Sequence, residues 1–274
     1  MATRWGLVLT VLVIASTAQA QGPAPRGECS DDRLWGWGGS QARACVIRDL
    51  TVPASGKLSV DAGTNGSIGV TGEDRRDVQV RAVVHAWAAS EAEAERIANE
   101  VVVRSDGGLR AEGPDQARRS GWSVSYTVLA PRETDLTLKT HNGGIAVADV
   151  RGDLALEALN GGISLDGVAG NVRGRTTNGG VTATLTGNRW DGAGLDLETT
   201  NGGVRLRVPE EYSARLETRT VNGGIDLDFP VTVTGRIGRE ISTTLGNGGA
   251  LVRAATTNGQ VRVSRLDASL PRVR

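Results

Sequence analysis

Hydrophobic and polar residues alternate with a period of two through most of the second half of the chain, and the alternation recurs around Asn-Gly. In "LTLKTHNGGIAV" the mainly apolar positions are Leu136, Leu138 and Thr140 before the asparagine, and Ile145 and Val147 after it. Side chains on a strand alternate between its two faces. The pattern therefore predicts a unit of strand, Asn-Gly-Gly corner, strand and variable loop.

The unit recurs at intervals of 18, 18, 23, 21, 25 and 11 residues. Its asparagines are Asn142, Asn160, Asn178, Asn201, Asn222, Asn247 and Asn258. Repetition at roughly twenty residues is typical of solenoids, in which each copy stacks on its neighbours. The glycines are expected to supply the positive φ of a tight corner. The stacked asparagines are expected to hydrogen-bond from coil to coil as a structural ladder.

Asn-Gly alone would favour separate antiparallel hairpins with type I′ turns. The charges favour a stack instead. The residues three positions before the asparagine alternate in sign: Lys139, Glu157, Arg175, Glu198 and Arg219. Six positions after it, a second column reads Arg207, Asp228 and Arg253. Opposite charges about 4.8 Å apart in register would stabilise a stack. We therefore predict a mainly all-β fold, a parallel β-solenoid of about seven short coils over residues 131–266.

The last interval departs from the pattern. Val252, Ala254 and Thr256 would have to follow one corner and also precede the next. This is expected to mark a terminal cap or a hairpin ending.

Residues 46–130 predict an α+β cap over the open end of the solenoid. Residues 58–70 resemble a degenerate first coil, but Asn65 does not fit the parity of the apolar residues before it. Residues 78–87 and 121–131 alternate as strands. Residues 90–101 predict the one short helix, with Ser90 as N-cap and Glu93 completing a capping box.

The first twenty residues predict a secretory signal peptide: Arg4, an apolar run over residues 7–15, and Ala18-Gln19-Ala20 as a cleavage site. The run is short for a bilayer span, and Gln21 in place of cysteine argues against a lipoprotein. We expect an exported chain, periplasmic or at the cell surface, without a membrane span once mature. Residues 21–45 would form a disulfide-closed loop, and residues 267–274 a C-terminal tail.

Cys29 and Cys45 are expected to form that disulfide, since oxidation is usual in an exported chain. A metal-binding or nucleophilic cysteine pair is the alternative, but it lacks a histidine nearby in sequence. Removing 20 of 274 residues, with Arg4, leaves 254 residues with 30 basic and 31 acidic side chains. This balance gives no electrostatic basis for binding nucleic acid or an anionic membrane.

Candidate catalytic residues are few. His85 lies in a predicted strand without a nearby nucleophile, and His141 lies in an outward column, so a catalytic triad is not expected. Asp226 and Asp228 would point the same way about 7 Å apart, a separation compatible with glycoside hydrolysis. Their neighbours in adjacent copies, Arg205, Arg207 and Arg253, favour a charge-paired surface instead.

Metal and aromatic signals are also weak. Calcium-binding glycine-rich coils read G-G-x-G-x-D, whereas these copies read N-G-G-I-x-V, so neither metal nor cofactor is expected. Trp35, Trp37 and Trp190 are candidates for sugar or protein contacts. The alternative for Trp35 and Trp37 is that they pack the disulfide loop onto the cap.

The segment "LTVPASGKLSVDAGTNGSIGVTGED" and the following "DLTLKTHNGGIAV" units resemble a bacterial exported family of unknown function whose members are labelled putative adhesins. The resemblance covers about residues 46–266. It implies a β-solenoid at the cell envelope and brings no catalytic residues.

Three functional hypotheses follow. The first is a non-catalytic structural or adhesin-like interaction surface with a protein or glycan partner at the envelope. The second is a carbohydrate-active enzyme that uses acidic residues on a solenoid face. The third is a periplasmic module of an envelope-stress or signalling system.

Overall fold

The computed structural model of the protein describes Cys29, residues 41–228 and residues 239–266. The elements before the predicted repeats are β1 (Ala42–Pro53), β2 (Lys57–Asp61), β3 (Ile68–Glu73), β4 (Asp77–Ala88), α1 (Glu91–Glu100), β5 (Val102–Arg104), β6 (Leu109–Glu112) and β7 (Gly121–Pro131). Then come β8 (Asp135–Asn142), β9 (Ile145–Ala148), β10 (Arg151–Asn160), β11 (Ile163–Asp166), β12 (Ala169–Asn178), β13 (Val181–Thr184), β14 (Gly194–Asn201), β15 (Val204–Val208), β16 (Ala214–Asn222), β17 (Ile225–Leu227), β18 (Glu240–Leu245), β19 (Leu251–Asn258) and β20 (Val261–Arg265). The mainly β composition with one helix in the described residues is confirmed.

The strands form two ten-stranded sheets. Sheet A has the order β1-β4-β7-β3-β9-β11-β13-β15-β20-β17. Sheet B has the order β18-β16-β19-β14-β12-β10-β8-β2-β6-β5. Neighbouring strands are parallel except for β1–β4, β4–β7, β5–β6 and β16–β18. Two sheets this rich in parallel pairs are consistent with a solenoid-like fold.

Each Asn-Gly corner joins a strand of sheet B to a strand of sheet A, and we call each such pair a coil. Numbered by position in the stack, the pairs are coil 1 (β2, β3), coil 2 (β8, β9), coil 3 (β10, β11), coil 4 (β12, β13), coil 5 (β14, β15), coil 6 (β19, β20) and coil 7 (β16, β17). The hydrogen-bonded neighbours of β10, for example, are β8 and β12 from other coils. The separate hairpins favoured by Asn-Gly alone are therefore wrong.

The order of the coils differs from their order in the sequence. Coil 6, the last in the chain, lies between coils 5 and 7, so β19 pairs with β14 on one side and with β16 on the other. The predicted neighbours Glu198 and Arg219 are consequently separated by Ala255. The predicted second charge column is also wrong, because Arg253 lies in sheet B, whereas Arg207 lies in sheet A.

Charge on the outer face of sheet B gives a physical reason for this order. The register places Arg253 between Asp196 of β14 and Glu217 of β16. Direct pairing of β14 with β16 in the same register would place Asp196 opposite Glu217. Like charges directly opposite on neighbouring strands are destabilising. The inserted strand therefore replaces a like-charge pair with two opposite-charge pairs.

Coil 1 belongs to the stack, as the resemblance of residues 58–70 to a first coil indicated, although these residues lie within the predicted cap over residues 46–130. Lys57 pairs with Asp135, an offset of 78 positions, whereas Asn65 bridges to Asn142, an offset of 77. Coil 1 therefore has one extra residue between Lys57 and Asn65. This extra residue brings Asn65 into line with Asn142 although it is out of phase with the apolar residues before it. The extra residue is accommodated at Gly63, whose φ is 64° and whose N–H donates to Asp61 Oδ1 at 2.8 Å. A glycine in the left-handed region is typical of such a bulge.

Asn247 lies outside the corners, which corrects its predicted role. Because β18 runs antiparallel to β16, Leu245 at its end is opposite Ala214 at the start of β16, far from Asn222. Asn247 follows in the turn from β18 to β19, and its N–H donates to Ser213 Oγ at 3.1 Å. The short interval before Asn258 thus marks neither a terminal cap nor a hairpin ending.

One apolar core runs between the sheets through all seven coils and into the cap. Its fully buried side chains are mainly Val, Ala and Leu, and Tyr126 is the largest of them. The predicted helix is present in the cap, where Ser90 Oγ accepts a hydrogen bond from the N–H of Glu93 at 3.3 Å. Its buried residues Ala94, Ile97 and Ala98 belong to the same core, and the helix packs against β1 and β4. The cap and the stack therefore share their core.

Several predictions fall outside the described residues. They are the signal peptide over residues 1–20, Trp35, Trp37, most of the loop over residues 21–45, and the tail over residues 267–274. Within the described ranges, helix α1 is far shorter than a membrane span, and no helix there is long and apolar enough to cross a bilayer.

Candidate functional site

Seven asparagines stack one above another at the corners between the sheets. At each step the Nδ2 of one asparagine donates to Oδ1 of the asparagine in the preceding coil, at 2.7–2.9 Å: Asn142 to Asn65, Asn160 to Asn142, Asn178 to Asn160, Asn201 to Asn178, Asn258 to Asn201, and Asn222 to Asn258. All the amides point in the same direction, so neighbouring hydrogen bonds polarise one another favourably. The ladder thus contains six of the predicted asparagines, lacks Asn247 and begins at Asn65.

The first glycine of each corner is required by close stacking of the backbone. A Cβ added at Gly143, for example, would overlap the carbonyl oxygen of Gly66 in the coil above, and the same overlap recurs down the stack. Among the corner glycines only Gly259 has a positive φ, and its value of 159° is close to extended. The predicted need for positive φ is therefore wrong: these glycines provide space for a neighbouring carbonyl.

The second position of the corner is less restricted. A Cβ added at Gly144 would lie 3.4 Å from the carbonyl oxygen of Gly162, an ordinary contact distance. Coil 1 has Ser67 and coil 6 has Gln260 at this position. Side chains are thus compatible with the second position, whereas all seven coils have glycine at the first.

A row of buried threonines ties five of the coils to the coil before each of them, a role that the sequence analysis missed. The threonine Oγ1 donates to the carbonyl of the first corner glycine in the preceding coil at 2.7–2.9 Å: Thr140 to Gly66, Thr176 to Gly161, Thr199 to Gly179, Thr256 to Gly202, and Thr220 to Gly259. Coil 3 has Ala158 at this position. The signal in the sequence was a hydroxyl in an otherwise apolar inward column.

A concave groove lies on the outer face of sheet B beside the asparagine ladder, and we call it the corner groove. It has a volume of about 860 Å³ and is lined by residues from all seven coils. The row nearest the corner is, in stack order, Thr64, His141, Leu159, Thr177, Thr200, Thr257 and Val221. The parallel row is Asp61, Lys139, Glu157, Arg175, Glu198, Ala255 and Arg219. The two rows face the same way because they are two residues apart on each strand, and in coil 1 the extra residue at Gly63 separates Asp61 from Thr64 by three.

The charged row alternates in sign over its first five members. Arg175 and Glu198 form an ion pair at 3.2 Å. Arg253, in the next row outward, lies 2.7 Å from Asp196 and also contacts Glu198 closely. The predicted neighbours Lys139 and Glu157 are in register, as are Glu157 and Arg175. The groove therefore presents fixed charges of both signs and no large field of one sign.

The carboxyl group of Glu198 is held in its ionised form. The hydrogen bond from Arg253 lowers the pKa of Glu198 below its ordinary value, desolvation opposes this, and the charges of Arg253 and Arg175 lower it further. A general acid at neutral pH needs a raised pKa. Glu198 is consequently suited to ion pairing and recognition.

The structure places the candidate catalytic residues apart. His85 lies in β4, and burial lowers its pKa, while His141 lies in the corner groove on another sheet. Asp226 contacts Arg262 at 3.5 Å, a partner different from the predicted arginines. Trp190 is 6% exposed and its Nε1 donates to the carbonyl of Gly170 at 2.9 Å, so its role is structural.

The predicted disulfide is confirmed: Cys29 and Cys45 are bonded, with their Cα atoms 5.6 Å apart. Cys45 pairs with His85 across β1 and β4, so the disulfide attaches the N-terminal segment to the edge of sheet A. In the part of the chain that the structure describes, His, Cys, Asp and Glu do not gather into any group of three that could hold a metal ion.

Comparison with known proteins identifies a family. Residues 48–264 match the family model described as Toastrack DUF4097. Among solved structures, a putative cell adhesion protein from Clostridium sporogenes is 13% identical, with a TM-score of 0.43, over 81% of this chain and 100% of that chain. A putative adhesin from Bacteroides fragilis is also 13% identical, with a TM-score of 0.40, over 81% of this chain and 97% of that chain. A search of curated proteins finds no match.

Proposed function

The chain belongs to the Toastrack DUF4097 family, and we propose that it is a non-catalytic, exported β-solenoid whose corner groove binds an extended polypeptide segment of a partner at the cell envelope. The proposal rests chiefly on one observation: the groove is continuous across all seven coils. Six steps between neighbouring strands, at about 4.8 Å each, give a length of about 29 Å.

The dimensions of the groove suit an extended chain. A polypeptide strand rises about 3.3 Å per residue, so about nine residues would span the groove. Every coil offers this segment a side chain from each of the two rows. The hydroxyl groups of the corner row can donate and accept hydrogen bonds, as unpaired backbone amides require.

The chemistry of the lining favours a polypeptide over other polymers. Charges of both signs alternate along the groove, which matches neither a polyanion nor a polycation. The lining includes Leu159 and Val221, which are 38% and 40% exposed, but it contains no Trp, Tyr or Phe, the residues that often dominate ligand pockets. A segment with mixed charges and small apolar side chains complements such a surface.

The paired carboxylates support a non-catalytic role. Asp226, the candidate acid for glycoside hydrolysis, is beside Arg262, and Glu198 has a lowered pKa. The lowered pKa of Glu198 favours its ionised carboxylate, whereas the acid of a glycosidase is kept protonated. The carbohydrate-active hypothesis therefore has less support.

The disulfide supports export. Bonds such as Cys29–Cys45 form and persist in oxidising compartments. A periplasmic or surface location follows as part of the proposal, and a periplasmic signalling role remains the alternative assignment for the same binding surface.

Site-specific photocrosslinking in intact cells tests the proposal. A photoreactive amino acid at Thr200, exposed in the corner groove, should give a discrete protein adduct. The same amino acid at Ser164, exposed on the outer face of sheet A, is the matched control and should not give that adduct. Peptide mapping of the adduct should locate a single extended segment.

Other outcomes would assign the chain differently. The same adducts from both positions would contradict a specific groove. Binding to a glycan array that is weakened by Glu198→Gln, without a protein adduct, would replace the polypeptide with a carbohydrate. Polysaccharide cleavage abolished by Asp226→Asn would overturn the non-catalytic assignment.

A further inference from the structure

Three exposed arginines lie together on the outer face of sheet A, opposite to the face that carries the corner groove. We call Arg205, Arg207 and Arg262 the arginine cluster. Arg205 of β15 is directly paired with Arg262 of β20, and Arg207 lies two residues further along β15 on the same face. Neighbouring strands are about 4.8 Å apart and alternate residues about 7 Å apart, so three guanidinium groups share one small patch.

This arrangement differs from the opposite-charge pairs that lie on the outer face of sheet B. Like charges directly opposite on neighbouring strands are destabilising. On sheet B, Arg253 lies between Asp196 and Glu217, and Lys139 is opposite Glu157. Stacking in sequence order would have paired Arg205 with Asp226 in the same way. The observed order of the coils places Arg262 between them.

The positive charge of the cluster is only partly compensated. Arg262 lies 3.5 Å from Asp226. Arg205 and Arg207 form no ion pair with any of the described residues. Apart from Arg262 beside Arg205, their neighbours on the other strands are hydroxyl residues: Thr182 beside Arg205, and Thr184 and Ser264 beside Arg207. Cations next to hydroxyl donors form a suitable environment for an oxyanion.

We propose that the arginine cluster binds a single phosphate group. A guanidinium group presents its N–H donors in a planar fork that matches the oxygens of phosphate. Two uncompensated guanidinium groups and a third that is partly compensated can surround a tetrahedral dianion. Departures from local rules are expected where a site is functional. The like-charge pair is therefore retained because ligand binding neutralises it.

The patch is too small for a membrane surface. Asp166 lies beyond Thr184 on one side, and Asp226 and Asp228 lie on the other, so carboxylates border the cluster. An extended anionic surface would meet these carboxylates as well as the arginines. A single phosphate, free or carried on a larger molecule, meets the arginines alone. The site lies on sheet A and does not depend on the corner groove.

Titration of the full chain with inorganic phosphate at low ionic strength, followed by calorimetry or NMR, tests the site. We expect saturable binding that weakens at least tenfold in Arg205→Gln and is unchanged in Arg173→Gln. Arg173 is the matched control because it is an exposed arginine on the outer face of sheet B. Equal weakening in both variants, or none in Arg205→Gln, would overturn the proposal.

A second measurement separates a binding site from a structural cluster. In phosphate-free buffer of low ionic strength, Arg205→Gln should raise Tm because it removes the like-charge pair. Addition of phosphate should raise Tm of the unsubstituted chain and leave that of Arg205→Gln almost unchanged. A lower Tm of Arg205→Gln in phosphate-free buffer would contradict the proposal.

Vesicles distinguish the source of the phosphate. The chain should bind only weakly to vesicles of phosphatidic acid in phosphatidylcholine, and soluble inorganic phosphate should displace it from them. Arg205→Gln should abolish any association with the vesicles. Association that inorganic phosphate does not displace, and that Arg173→Gln weakens as strongly as Arg205→Gln, would show general adsorption of a charged surface and would refute the single-phosphate site.

Discussion

The two residues of each Asn-Gly corner stabilise the stack in different ways. The asparagine contributes a side-chain hydrogen bond to the coil before it, whereas the first glycine allows that coil to approach. The threonine two positions before the asparagine donates a hydrogen bond to the carbonyl of the first corner glycine in the preceding coil, as Thr176 does to Gly161. The Asn-Gly sequence is therefore required by the close stacking of one coil's backbone on the next, more than by the conformation of the turn itself.

Alanine substitutions at adjacent glycines should separate these effects. Gly143→Ala should lower the free energy of unfolding by roughly 1–3 kcal/mol, because its Cβ would overlap the carbonyl oxygen of Gly66. Gly144→Ala should have little effect, because its Cβ would lie 3.4 Å from the nearest carbonyl oxygen. Urea denaturation of both variants measures the difference. Similar losses at the two positions would show that turn conformation, and not stacking, requires the glycines.

At the scale of elements, the sequence predicted the strands, the corners and the helix because each depends on local alternation or capping. The order of the strands was not predictable by the same means. Coils 5, 6 and 7 have the same inward pattern, so any of them could stack on another. The available signal was the outward sequence of Asp196, Glu217 and Arg253, which alternates in sign only when the last coil lies in the middle.

The ion pairs of Arg253 should therefore stabilise the order of the coils in a pH-dependent way. Hydrogen bonding from Arg253 lowers the pKa of Glu198 in the folded chain from its ordinary value of 4.5. A carboxyl group with a lowered folded pKa stabilises fully above its unfolded pKa and loses this contribution as the pH falls through the folded pKa. Arg253→Gln should thus cost most at neutral pH, by up to about 1 kcal/mol because the pair is partly exposed.

Denaturation of both chains from pH 7 to pH 3 checks this prediction. The difference in free energy of unfolding between the unsubstituted chain and Arg253→Gln should shrink below pH 4.5. Arg118→Gln, which removes an exposed arginine that lies outside the strands, should show no such trend. A difference that stays constant with pH would mean that Arg253 acts through packing of its side chain alone.

At the scale of the whole molecule, the two proposed sites depend on a coil contributed by the C-terminal part of the chain. Coil 6 completes the corner groove through Ala255 and Thr257, and it brings Arg262 beside Arg205. The outward rows of the groove were visible in the sequence as columns. The continuity of these rows and the arginine cluster could not be predicted from the sequence, because both arise only when the last coil lies between two earlier coils in the stack.

Truncation after Gly249 should therefore disturb the interior of the stack. Removal of β19 and β20 leaves β16 and β17 without a parallel partner and leaves β14 and β15 with one each, β12 and β13. Direct pairing of β14 with β16 would bring Asp196 opposite Glu217. Amide exchange should lose protection from β14 through β18 and retain it from β8 through β12, whose partners all precede the truncation. A variant ending at Leu266 serves as the control and should keep full protection. If β16 stays protected in the shorter chain, coils 5 and 7 can stack directly, and the inserted coil is not what holds them in order.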